Sequence, residues 1–174
     1  MNQVINNFTL YERIGGMPVL ESLVVRFYDL MDLEPKYQIL REVHGNTLEE
    51  AGKRLLMFFF FFLGGPELYV QVHGHPRLKS RHFPFKIGTV ERDQWVACFM
   101  QALGELEIDA EIQAELLPPI YTLAEWMRNQ EDVVEGAPLP PMQDKMPRDY
   151  VINRLVQLAH KYDVPVVFIS TLDI

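Results

Sequence analysis

Cysteine is almost missing from this chain. Cys98 stands alone among 174 residues, which excludes an intrachain disulfide and fits a reducing compartment. Positive charge is short as well, and the net charge of −8 argues against general nucleic-acid binding, which depends on neutralising phosphates with Lys and Arg. Membrane-length apolar runs are absent. The longest is Leu55–Leu63, which holds five consecutive phenylalanines at 58–62. As a helix it spans about 14 Å against a hydrocarbon core of about 30 Å, so it reads as a buried helix. The N-terminus MNQVINNF has neither the basic start nor the apolar stretch of a signal peptide, and a cytoplasmic location is expected. Strand-like alternation is missing before residue 160, so the main body is expected to be all-α.

What is present suits one packed domain. Hydrophobic residues make up 48% of the chain, and a chain of this length buries roughly 70% of its unfolded surface. Leu10–Ile14 reads as one short turn ended by Gly15-Gly16. Met17–Leu33 has apolar residues at Val19, Leu20, Leu23, Val24, Phe27 and Leu30, the helical period, and Glu34-Pro35 breaks it. Thr47 is the expected cap of a third helix, with Glu49 and Glu50 in its first turn and Gly64-Gly65-Pro66 as its stop. Thr89 is the expected cap of a helix reaching Leu103 or beyond. Asp109–Gln130 forms another, which Pro118-Pro119 should kink or split.

The C-terminal part differs in character. Residues 1–130 are read as the main domain, and 131–147 as a proline-rich linker to an extension that ends at 174. Arg148–Tyr162 looks helical, with Val151, Leu155, Leu158 and Tyr162 on one face. VPVVFIS (164–170) looks like a strand that must pair with another chain, lie flat on the helices, or not be a strand.

Chemistry concentrates in residues 73–95, HGHPRLKSRHFPFKIGTVERDQW. His82 sits on a backbone stiffened by Pro84, beside basic Lys79 and Arg81 and apolar Phe83, Phe85 and Ile87. A flat apolar ligand with acidic edges suits this setting, and haem is such a ligand, held in many proteins by one imidazole. A zinc-like site from His73, His75 and His82 is the alternative, although no carboxylate or thiolate completes that set. Trp95 and Tyr28 lie on amphipathic helices, where aromatic packing is the ordinary role. Their polar tips need partners when buried, and could donate to a bound diatomic gas. His44 falls in a polar corner between helices, where it is either solvated or a third group over the ligand. Five aromatics in a row point all round a helix, so the segment with Phe58 is core on most sides or faces something like a porphyrin. Cys98 reads as a small core residue.

These pieces together resemble the group II truncated haemoglobins, the 2-on-2 globins. The matching stretches are YERIGGMPVLESLVVRFYDL (11–30), LREVHG (40–45), RLLMFFFFFLGGPELY (54–69), GHPRLKSRHFPFKIGTVERDQWVACF (74–99) and LAEWMRN (123–129). The resemblance implies a 2-on-2 helical sandwich around haem b (iron protoporphyrin IX), with His82 as the proximal ligand of a five-coordinate iron. It implies a distal pocket of Tyr28, Trp95, His44, Ala51 and Leu55, with Trp95 bonding to iron-bound ligands. Lys79 and Arg81 are the implied propionate partners, and Phe58, Phe85 and Ile87 the implied walls. His44 departs from the Phe or Tyr common there, which could make ligand binding sensitive to pH.

The implied function is binding of O2, NO, CO or peroxide. The expected chemistry is NO dioxygenation or a peroxidase-like oxidation served by an unidentified reductase. The alternative is a gas-sensing module whose tail, 131–174, mediates dimerisation or partner binding.

Overall fold

The protein is described by a computed structural model that covers residues 8–45, 47–65, 85–129 and 146–167. Helix α1 (Leu10–Ile14) begins with a reciprocal cap, in which the Glu12 N–H donates to Thr9 Oγ1 at 3.2 Å and the Thr9 N–H to Glu12 Oε2. Gly15 ends it at φ +116°, where an added Cβ would lie 2.5 Å from Val19 Cγ2, so the sharp turn into the next helix requires glycine. Helix α2 (Gly16–Leu33) buries Leu20, Leu23, Val24, Phe27, Leu30 and Met31 along one face.

A 3-10 turn (Pro35–Tyr37) and a short helix α3 (Gln38–Val43) follow. Helix α3 is not legible in the sequence, because six residues are too few to display a period. Helix α4 (Glu49–Phe62) starts one residue later than expected. Its cap is Leu48, without a side-chain bond, rather than Thr47, since Leu48 packs its side chain onto the core. The helix ends at Leu63, whose carbonyl accepts the Tyr11 N–H at 2.9 Å and so ties α1 to the end of α4.

Helix α5 (Thr89–Glu105) is the centre of the molecule. Val96, Ala97, Cys98, Phe99, Met100, Ala102 and Leu103 are all buried, so it is apolar around most of its circumference. Its cap is Gly88 and not Thr89. Gly88 takes an extended conformation and donates its N–H to Glu91 Oε2 at 2.9 Å, which moves the boundary back by one residue. Cys98 is fully buried, its thiol donates to the Phe27 carbonyl at 3.3 Å, and burial pushes its pKa well up. It is a core residue.

Helix α6 (Ala110–Trp126) runs through Pro118 and Pro119 as one element, so the expected split does not occur. Pro119 and Glu115 are exposed and Pro118 and Ala114 only half-buried, so the unbonded carbonyls lie on the wet side. Buried Leu116, Leu117, Ile120 and Tyr121 hold the other side. Helix α7 (Arg148–Lys161) packs on α5 and α6, burying Val151, Leu155, Leu158 and Ala159, with Tyr162 and Val164 continuing the same core. Residues 164–167 form no strand: the Val164 N–H bonds back to the Ala159 carbonyl at 2.8 Å, and Val164 and Val166 lie on the helices. Residues 168–170 of the expected strand lie outside the described residues. Among the described residues no helix is long and apolar enough to cross a membrane.

Candidate functional site

One buried ring organises the site. Phe27 of α2 is fully buried and stands edge-on to Tyr28 (5.0 Å between centroids), Trp95 of α5 (5.2 Å) and Phe99 (6.1 Å). Such edge contacts between aromatic rings hold their orientation as well as burying area. Trp95 also stacks on Phe99, and Phe99 meets Phe59 of α4 at 5.2 Å. The sequence-predicted Tyr28 and Trp95 are thus brought onto one wall, half-buried, at the crossing of α2, α4 and α5.

His44, just past the end of α3, joins them. Its ring lies edge-on to Tyr28 at 6.0 Å, and its Nδ1 is 2.9 Å from the Leu40 carbonyl. A carbonyl can only accept, so Nδ1 carries a proton in this contact. Burial raises the Tyr28 phenol well above its ordinary pKa, and Tyr28 therefore stays a neutral O–H donor.

Helix α4 supplies the rest of the wall. Ala51 and Leu55 are half-buried, Phe58 is buried and stacks on Phe62 at 5.4 Å, and Leu55 packs onto the core. The helix lies close to Tyr28, since a Cβ added at Gly52 would sit 3.6 Å from Tyr28 Cδ2. Apolar rings with uncharged polar tips are chemistry that fits a flat apolar group such as haem. Among the described residues no cluster of His, Cys, Asp and Glu could hold a bare metal ion. His82, Lys79 and Arg81, with His73 and His75 of the alternative site, lie outside the described residues.

The segment that follows His82 is held by a residue that the sequence did not single out. Asn129 donates its backbone N–H to the Ile87 carbonyl (2.9 Å), accepts the Ile87 N–H on Oδ1 (2.9 Å), and donates from Nδ2 to the Phe85 carbonyl (2.6 Å). Ile87 is half-buried, whereas Phe85 is 45% exposed and borders a cavity of about 330 Å³ with Ile39 and Val43 of α3. Gln94 was missed as well. It is buried beside Trp95 and its Oε1 accepts the Leu40 N–H at 2.9 Å.

Residues 9–129 match the family model of the bacterial-like globins. The chain belongs to the bacterial-like globin family. Across 122 residues it is 34% identical to the group 2 truncated hemoglobin YjbI of Bacillus subtilis, covering 70% of this chain and 89% of that one. The group II 2-on-2 hemoglobin of Agrobacterium tumefaciens superposes with a TM-score of 0.70 at 39% identity, over 74% of this globin and all of that chain. The truncated oxygen-avid haemoglobin of Bacillus subtilis does so with a TM-score of 0.64 at 33% identity, over 70% of this chain and all of that one. The fold is therefore the 2-on-2 sandwich of the group II truncated globins, and membership of a globin family implies haem binding and diatomic gases such as O2 as ligands. The family match ends at Asn129, so α7 lies beyond it.

Proposed function

We propose that this globin binds haem b, with His82 as the iron ligand and Lys79 and Arg81 toward the propionates, and that it retains O2 for oxidation chemistry. Haem, when bound, supplies the iron that takes the gas and exchanges electrons with it. The convergence of Tyr28 and Trp95 on Phe27, with His44 edge-on to Tyr28, carries the reading. Tyr28 and Trp95 bring two uncharged donors to one aromatic wall, which a bound haem would close off from water. A hydrogen bond to a ligand in such dry surroundings contributes about 1 kcal/mol or more, and each one slows release. Slow release suits chemistry better than delivery, and one of the similar structures is described as oxygen-avid. The reaction we favour turns one NO, one O2 and one electron from a reductase into nitrate. Peroxide-dependent oxidation is the second candidate at the same place.

A gas-sensing module whose tail, 131–174, mediates dimerisation or partner binding is the competing reading. Leu155, Leu158 and Tyr162 are committed to the core of this chain, which favours the first.

Absorption spectra of the ferric, ferrous and CO-bound protein test the proposal, repeated for His82→Ala. An intense Soret band that is lost or altered in the variant is expected. Normal five-coordinate ferrous haem in His82→Ala would sink the assignment. Nitrate yield from NO and aerobic ferrous protein, against peroxide consumption with a reducing dye, separates the two reactions.

A further inference from the structure

Helix α3 is seated on α5 by two amide oxygens. Leu40 is the third residue of α3, so its N–H lies in the first turn, where the helix has no earlier carbonyl to offer it. A capping side chain normally takes that N–H, but Tyr37 stands at the cap and makes no such bond. Gln94 of α5, only 5% exposed, takes it instead, with Oε1 at 2.9 Å from the Leu40 nitrogen. Just before α3, the fully buried Tyr37 donates its hydroxyl to Gln101 Oε1 at 2.6 Å. Gln94 and Gln101 are seven residues apart, about two turns, and so lie on one side of α5. Leu40 also holds His44, its carbonyl 2.9 Å from Nδ1, and His44 lies edge-on to Tyr28. Tyr28 stands against Phe27, and Phe27 against Trp95, the residue next to Gln94. The contacts close a circuit that begins and ends on one turn of α5.

We propose that Gln94 is a positioning residue for the ligand pocket: by seating α3 on α5 it sets where His44 stands against Tyr28. The proposal rests on the reading of Tyr28, Trp95 and His44 as that pocket. Successive residues of a helix point about 100° apart, so neighbours on one rigid backbone serve different partners. Gln94 reaches α3, while Trp95 reaches Phe27 and Phe99. Helix α5 therefore places the Trp95 ring directly and the His44 ring through α3. Six residues make too short a helix to hold its own shape in water, so α3 depends on such outside bonds. The Arg41–Asp32 ion pair at 2.8 Å also ties α3 to the end of α2, so loss of the Gln94 bond shifts α3 without releasing it.

The test uses the full chain with Gln94→Met, which keeps the length of the side chain and deletes the acceptor, and Gln94→Glu, which restores one. Leu155→Ala is the control, since it loosens α7 and leaves both glutamines alone. Readouts are NMR of the ferrous CO-bound protein and O2 dissociation by stopped flow. In Gln94→Met the Leu40 amide should exchange about tenfold faster, the His44 ring signals should shift, and O2 release should change by about threefold or more. The Trp95 indole signal should stay, because its stack on Phe99 is untouched. Gln94→Glu should return the three altered readouts toward wild type. Leu155→Ala should lower the melting temperature with the His44 signals and O2 release unmoved. Unmoved His44 signals in Gln94→Met, unchanged O2 release despite shifted signals, a displaced indole, no recovery in Gln94→Glu, or the same changes in Leu155→Ala would each overturn the proposal. A wild-type chain with no Soret band would sink the functional reading and this proposal with it, whereas the other failures leave that reading standing.

Discussion

Trp95 lies flat on Phe99, one helical turn further along α5, with ring centroids 5.5 Å apart and planes 13° from parallel. The stack leaves the indole little freedom, since Phe27 blocks it edge-on and Phe59 backs Phe99. A donor whose direction is already fixed loses little entropy when it bonds a ligand. Trp95→Phe keeps the ring packing and deletes the N–H. O2 dissociation should then accelerate about tenfold, corresponding to a lost hydrogen bond of about 1.4 kcal/mol, as measured by displacement with CO. Unchanged off-rates would mean that Trp95 is only a packing residue.

Asn129 does for the segment 85–87 what a neighbouring strand would do, pairing with it from both backbone and side chain. Asn129→Ala keeps the backbone bond and removes the other two. The unfolding free energy should fall by about 1–3 kcal/mol in urea titrations, because the Ile87 N–H is left half-buried without its acceptor. Asn129→Asp keeps an acceptor for the Ile87 N–H and loses the donor to the Phe85 carbonyl, so it should fall in between. If haem hangs on the residues just before this segment, its loss to a scavenging apoglobin should speed up in the same order.

The long helices were legible because burial imposes a period, as along α2 from Leu20 to Met31. What escaped was set by tertiary contacts. The α6 prolines read as a break, yet the helix survives because the unbonded carbonyls lie on its wet side while Leu117 and Ile120 are held in the core. VPVVFIS (164–170) reads as a strand, but its described part, 164–167, forms none, because Val164 and Val166 pack onto the helical core instead of pairing with a neighbour. Tyr28 and Trp95 were visible as aromatic side chains with polar tips at helical spacing. Gln94 and Asn129 were not, because their partners are backbone groups 54 and 42 residues away, and an amide side chain carries no sign of such a partner.

Acid should weaken this fold through two surface pairs. Hydrogen bonds from Arg26 and Arg13 hold Glu105 and Glu115 below the ordinary value of 4.5, and the Arg13–Glu115 pair is bidentate at 2.7 and 2.8 Å. A carboxylate made more acidic by folding contributes stability above its unfolded pKa, and that contribution disappears as pH falls through the lower folded value. Stability should therefore decline below about pH 4.5, and the decline should be shallower in Glu105→Gln and Glu115→Gln. Both carboxylates are well exposed, with 37% and 50% of their side-chain surface open, so each pair contributes at most about 1 kcal/mol. Thermal melts at pH 3, 4 and 6 in low salt would show this, and an acid limb identical in all three proteins would exclude it.

The charged cluster where α5, α6 and α7 meet behaves differently because it is buried. Arg92 and Asp93 are each 6% exposed, and Asp93 Oδ1 accepts from Arg92 Nε at 3.0 Å and Nη2 at 2.8 Å. Arg92 also pairs with Glu125 and lies over the Tyr121 ring, while Arg154 of α7 approaches Asp93 at 3.6 Å and donates to the Tyr121 hydroxyl at 3.3 Å. Burial alone would lower the Arg92 pKa, yet Asp93, Tyr121 and Glu125 raise it, so the guanidinium stays charged. Removing one partner strands the other. Asp93→Ala leaves Arg92 with Glu125 alone and takes the acidic anchor from Arg154, and it should cost about 3–5 kcal/mol. The double change Arg92→Leu with Asp93→Leu removes both charges together and should recover most of that loss. Salt up to 0.5 M should alter these differences little, since buried pairs are poorly screened. Urea titrations of the single and double variants decide it: a double variant no more stable than Asp93→Ala would mean that the pair is needed for the shape of this junction and not only to neutralise itself.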